Sequence, residues 1–195
     1  MKTITHVYDS YSQARAVVDA LEREGFAGAD VSLVANKHVS PESAEMDEVS
    51  DTTKGVGIGG ALGGGAGLLA GLGMLAIPGL GPVVAAGWLA STAVVAAAGA
   101  AAGGIVGALV DAGLSREQAH VYSETVRRGG TLVTARVREE HAARAESIMT
   151  GFRPIDPELR ATEYRSQGWK AFDPKAAPYR PSQAEIDRMR ANWPG

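Results

Sequence analysis

Polar and apolar residues alternate over residues 3–8 (Thr-Ile-Thr-His-Val-Tyr), the period of a half-buried strand. The period then changes. Ala14, Val17, Val18 and Leu21 fall at helical spacing behind Ser10 and Gln13, a capping-box pair, and Gly25 supplies the stop. Alternation returns at 30–35, where Val31, Leu33 and Ala35 interleave with Ser32 and Val34. Residues 1–35 therefore predict a first βαβ half. Over 36–54 the pattern gives way to polar and acidic positions (Glu42, Glu45, Asp47, Glu48, Asp51), a solvated linker.

A second patterned region spans 112–156. Ser115 and Gln118 repeat the capping box, and Ala119, Tyr122 and Val126 share one helix face, with Arg127 and Arg128 at its end and Gly129-Gly130 beyond. Residues 131–137 alternate as a strand. A helix from 139 to 150 turns Ala142, Ala145, Ile148 and Met149 inward, and a short edge strand is expected at 152–156, confined to an edge by Pro154. Two such halves fold as a split βαβ, ferredoxin-like α+β sandwich.

Between them lies an insertion without a single charged side chain, residues 55–110. Gly55, Gly59, Gly63, Gly67 and Gly71 recur every fourth residue, as do Gly87, Ser91, Gly99, Gly103 and Gly107, interrupted by Val95. On a helix such positions share a face. The spacing predicts a hydrophobic helical hairpin over 55–111 whose glycine faces touch, with its turn at Pro78, Gly79, Gly81 and Pro82. Each arm has about the 20 residues a membrane span needs. Ten glycines within 55–73 would make an isolated helix untenable in water. Two settings satisfy the pattern: a lipid bilayer, or the core of a soluble oligomer burying the same hairpins. In the bilayer, Lys54, Arg116, Arg127 and Arg128 flank the pair and its turn carries no basic residue, which puts both termini in the cytoplasm.

From Pro157 the composition shifts again. Six of the nine prolines lie at or after Pro154, and Tyr164, Trp169, Phe172, Tyr179 and Trp193 are spaced out as anchors for docking on a surface, either on this chain or on an unidentified protein partner. Ser182 and Glu185 mark a short helix within this 157–195 tail.

Composition removes more chemistry than it adds. With no cysteine there is no disulfide, thiolate metal site or thiol nucleophile. A net charge of −3 gives no electrostatic reason to expect nucleic acid. No secretory signal is expected at the N-terminus. His6, His38, His120 and His141 show no metal-ligand spacing, and His120 with Glu124 reads as a surface pair four residues apart. Gly55-Val56-Gly57-Ile58-Gly59-Gly60 has the spacing of a dinucleotide loop but follows an acidic linker rather than a strand, so it belongs to the glycine run. Neither catalytic residues nor a cofactor are expected.

The stretch from Ile77-Pro78-Gly79-Leu80-Gly81-Pro82 to Gly87, continuing to Gly103-Gly104-Ile105-Val106-Gly107-Ala108-Leu109, resembles a bacterial general stress protein family. So does Val126-Arg127-Arg128-Gly129-Gly130 followed by Leu132-Val133-Thr134. The resemblance covers about residues 3–156. It implies a heat- or stress-induced protein with a small α+β domain interrupted by a glycine-rich hydrophobic hairpin, and it brings no activity or cofactor with it. The expectation is a non-catalytic protein that self-associates through its hairpins.

Overall fold

The computed structural model describes residues 1–26, 30–36, 73–77, 80–88, 104–176 and 179. In chain order these form β1 (Lys2–Tyr8), α1 (Tyr11–Arg23), β2 (Val31–Asn36), β3 (Gly73–Ile77), β4 (Gly81–Ala86), α2 (Gly104–Asp111), α3 (Arg116–Arg127), β5 (Thr131–Val137), a 3₁₀ turn (Glu139–His141), α4 (Ala142–Gly151) and α5 (Pro157–Ser166). The protein is a mixed α+β fold around one antiparallel sheet of order β1-β5-β2-β4-β3. β1 and β2 do not touch: β5 lies between them, antiparallel to both.

Strand alternation sorts the core into two halves. Ile4, Tyr8, Val31, Leu33, Ala35, Val133 and Ala135 face α1 and α4. Val7, Val34, Val83, Ala85 and Leu132 face α2 and α3. With helices on both faces, all six residues of β2 are buried, including Ser32 and Asn36, which the alternation alone would leave in water.

Local signals explain the ends of the elements. Ser10 caps α1 by accepting from the Gln13 backbone N–H at 3.2 Å. The reciprocal half of that expected capping box is absent, because the Gln13 amide donates to the Phe152 carbonyl at 2.6 Å and ties α1 to the end of α4. At α3 the box is complete between Ser115 and Gln118.

The insertion departs most from expectation. Residues 73–77 and 81–86, read as the inner ends of two glycine-zipper helices, are the strands β3 and β4. The chain does reverse between the two segments, but they are paired strands, with Ile77 opposite Gly81 and Leu75 opposite Val83. The reason is tertiary. β5 occupies one edge of β2, and the Val83-Val84-Ala85-Ala86 run fills the other, from Leu33↔Ala86 to Asn36↔Val83. Pro82, expected in the first turn of a helix, lies one residue beyond that last rung, where β2 asks nothing of its nitrogen. Gly104–Asp111 is helical as expected, but it packs on α3 with Ile105 and Leu109 buried.

The edge strand expected at 152–156 reduces to a single rung, the Ile155 N–H donating to the Val7 carbonyl at 2.8 Å. Arg153 takes a left-handed backbone (φ 52°) and Pro154 has no N–H, so the ladder cannot propagate. Instead of an irregular tail the chain then enters α5. Asp156 caps it by accepting from the Glu158 and Leu159 N–H groups, and Pro157 takes its first position.

Candidate functional site

The outer edge of β1 borders a shallow cleft of about 500 Å³. Lys2 to His6 form its floor. Gln118 and Tyr122 of α3 wall one side, Glu146 of α4 the other, and Pro154 to Pro157 close one end. The walls thus come from both helical layers. The hollow is the space that a further strand of the sheet would occupy.

The hydrogen bond at Val7 fixes which backbone groups face it. In an antiparallel ladder a residue sends its N–H and C=O to the same neighbour, and the direction alternates along the strand. Val7 points outward to Ile155, so Thr5 and Thr3 point outward too, into the cleft. The Thr5 and Thr134 hydroxyls meet across the inner side at 3.3 Å.

Side chains add polarity at the rim. His6 Nε2 lies 3.0 Å from Glu146 Oε1, with the imidazole 17% and the carboxylate 47% exposed. Tyr122 is 4% exposed, and its phenol is pushed up to about 12, first by burial and then by the negative charges of Glu146 and Asp156. Burial likewise raises Tyr8, whose hydroxyl donates to the Met149 carbonyl at 2.9 Å. Both phenols are therefore neutral hydrogen-bonding groups. Among the described residues no cluster of three His, Asp or Glu side chains offers a metal site.

A second polar feature closes the far end of α3. Glu124 is 1% exposed and accepts from Arg127 Nη2, Arg127 Nε and Arg128 Nε at 2.7, 2.9 and 2.7 Å. The hydrogen bond to Glu124 is the main cause holding the Arg127 guanidinium above its ordinary value. Arg128 also donates to Gln167 at 2.6 Å, and its guanidinium carbon sits 4.2 Å over the Tyr164 ring and 5.2 Å over Tyr179. Below, the Asn36 amide donates to the Leu80 and Arg127 carbonyls, tying β2 to the end of α3. Glu124 was expected to form a surface pair with His120. It is buried instead, because α5 and its continuation cover this face. The spacing Glu124-x-x-Arg127-Arg128 was the available signal.

Of the expected contact residues, Gly87 follows β4 at φ 80°, and a Cβ there would collide with the Val31 carbonyl oxygen. Its smallness serves the β4–β2 approach, not a helix pair. Gly107 lies half-buried within α2, and Gly81 and Pro82 open β4. Gly55, Gly59, Gly63, Gly67, Gly71, Ser91, Gly99, Gly103, Pro78, Gly79 and Trp193 lie outside the described residues. Tyr164 and Phe172 are buried at 2% and 5%, and Trp169 meets Tyr164 edge-on at 5.7 Å. The Tyr164 hydroxyl donates to Thr125 Oγ1 at 3.2 Å. With Tyr179 under the two arginines, four of the five tail aromatics gather on or beside α3 of the same chain.

No protein-family model matches the chain, and neither a curated protein nor a solved structure matches it.

Proposed function

We propose that this chain is a non-catalytic structural protein that associates with copies of itself, and that its sheet is a ferredoxin-like split βαβ unit widened by the β3–β4 hairpin. One observation carries the reading. The strand at the sheet's outer edge, β3, is Gly-Met-Leu-Ala-Ile, uncharged along its whole length, and among the described residues only β4 pairs with it. Soluble proteins guard edge strands with charge, proline or a bulge, because an apolar edge is a template for another chain. Among the described residues this edge carries no such guard, and it lies inside the uncharged 55–110 segment.

The same position counts against a second membrane-spanning arm over 83–110. Residues 73–77 and 81–86 belong to the sheet and 104–110 to a helix buried on α3. Of the second uncharged run, only 89–103 lies beyond these elements, short of the roughly 20 residues a helical span needs. Among the described residues no helix is long and apolar enough to cross a membrane. A role in stress rests on the resemblance at Ile77–Gly87 and Val126–Gly130.

The test is the particle size of protein prepared without detergent. Light scattering is expected to give an oligomer. Leu75→Lys with Ala76→Lys is expected to release folded monomers by placing charge on the edge. A wild-type monomer overturns the reading, and fractionation with membranes resistant to carbonate extraction replaces it with the bilayer one.

A further inference from the structure

We infer that the cleft along β1 receives an extended peptide as an added strand, one that carries a lysine or arginine opposite Glu146. The site lies at the other end of the sheet from β3 and does not depend on self-association.

Three observations converge on this occupant. The floor is strand backbone whose outward groups at Thr3 and Thr5 have no partner among the described residues. Such groups bind another strand better than a compact small molecule, because successive outward pairs repeat along the edge at a spacing only a backbone matches. The chain itself begins this addition. Ile155 makes one rung on Val7, and the chain then turns into α5 at its Asp156 cap and Pro157, so among the described residues the slot beside Thr5 and Thr3 stays open.

The walls belong to the two helical layers that flank the sheet, so an entering strand has side-chain positions on both faces. On one face Tyr122 offers a neutral ring. On the other is Glu146, nearly half exposed although one oxygen engages His6. Burial is the main cause raising Tyr122 and the negative charges of Glu146 and Asp156 add to it; both carboxylates line the cleft where a cationic side chain would lie. Lys2, at the far end of the floor, is the cation of the lining. It favours a basic residue near the Glu146 end over one spread along the strand.

The probe is a capped peptide of about seven residues, alternating threonine and valine with one central lysine, beside a twin with glutamate in its place. The readout is amide hydrogen exchange of the intact protein followed by NMR. In excess lysine peptide the Thr3 and Thr5 amides are expected to slow by about tenfold or more while the β3 amides are unchanged. The glutamate twin should bind up to about fivefold more weakly, the scale of one exposed ion pair. Glu146→Gln should erase that difference and leave the protection. A lysine peptide N-methylated at alternate amides, which cannot form the ladder, should not protect. If millimolar lysine peptide leaves Thr3 and Thr5 exchange unchanged, or if the methylated peptide protects equally, the inference is wrong. If those amides slow with protein concentration alone, the occupant is a second copy and the peptide assignment falls. Light scattering of the same samples reports self-association separately.

Discussion

Arg128 reaches Glu124 at 2.7 Å, and the carboxylate it meets is only 1% exposed. A carboxylate so deep in the protein is tolerable only with its charge answered, and Arg127 supplies the second answer from the preceding position. The pairing therefore predicts an asymmetry. Replacing both arginines with methionine strands a buried charge and should cost about 3–5 kcal/mol, more than Glu124→Gln, which leaves a neutral hydrogen-bonding group. Urea unfolding of the two variants tests this; equal losses would contradict it.

Gly87 and Gly113 both hold a left-handed backbone, at φ 80° and 103°, but only Gly87 faces a neighbour. Alanine at Gly113 should cost about 1 kcal/mol, the conformational term alone. At Gly87 the Cβ would collide with the Val31 carbonyl oxygen, so the loss should exceed about 2 kcal/mol and part β4 from β2. Chemical denaturation gives the two values, and hydrogen exchange of Leu33 and Val34 reports whether the strands separate.

The aromatic anchor of the tail should behave as part of the core. Tyr164→Phe removes the hydrogen bond to Thr125 and should cost about 1 kcal/mol. Tyr164→Ala also removes the ring beneath Arg128 and beside Trp169, and should cost about 3–5 kcal/mol. Thermal melts that leave Tyr164→Ala unchanged would show that α5 does not stabilise α3.

Alkaline stability follows from Tyr122. Its phenol ionises near 10.0 in the unfolded chain and at about 12 in the fold, so folding favours the neutral form. Its contribution is intact below pH 10 and is lost as the pH rises from there through 12, on the order of 2–3 kcal/mol in all. Tyr122→Phe should flatten this part of the pH profile, as followed by circular dichroism with tyrosinate absorbance marking the ionisation.

The α+β class and the boundaries of β1, α1, β2, α3 and β5 to within a residue or two were legible because each rests on a local period and its own stop signals, such as Ser10, Ser115 and Gly129; the helix expected from 139 starts at Ala142, after a 3₁₀ turn. Other features were not local. The strands at 73–86 exist because β2 has a second edge to fill, and nothing within Gly-Met-Leu-Ala-Ile announces that partner. The same long-range covering buries Glu124. In contrast, α5 was legible and missed, since Asp156-Pro157 followed by Ala161 and Tyr164 is a capped, one-sided helix. The β1 cleft needed the structure, because only the Ile155–Val7 bond reveals which backbone groups look outward.

The separation of β1 from β2 by β5 has a kinetic consequence. The first two strands are complete by Asn36, yet neither can pair with the other, and the strand that fits between them begins at Thr131. A ribosome must therefore add almost a hundred residues before the first half of the sheet can close. Through that interval the nascent chain holds α1 and two strands whose shared partner does not yet exist. Pairing at such long range makes closure slow, in the millisecond-to-second regime of non-local β topologies. Within that interval the uncharged middle of the chain emerges ahead of the strand that completes the sheet, and a holding chaperone would meet it there.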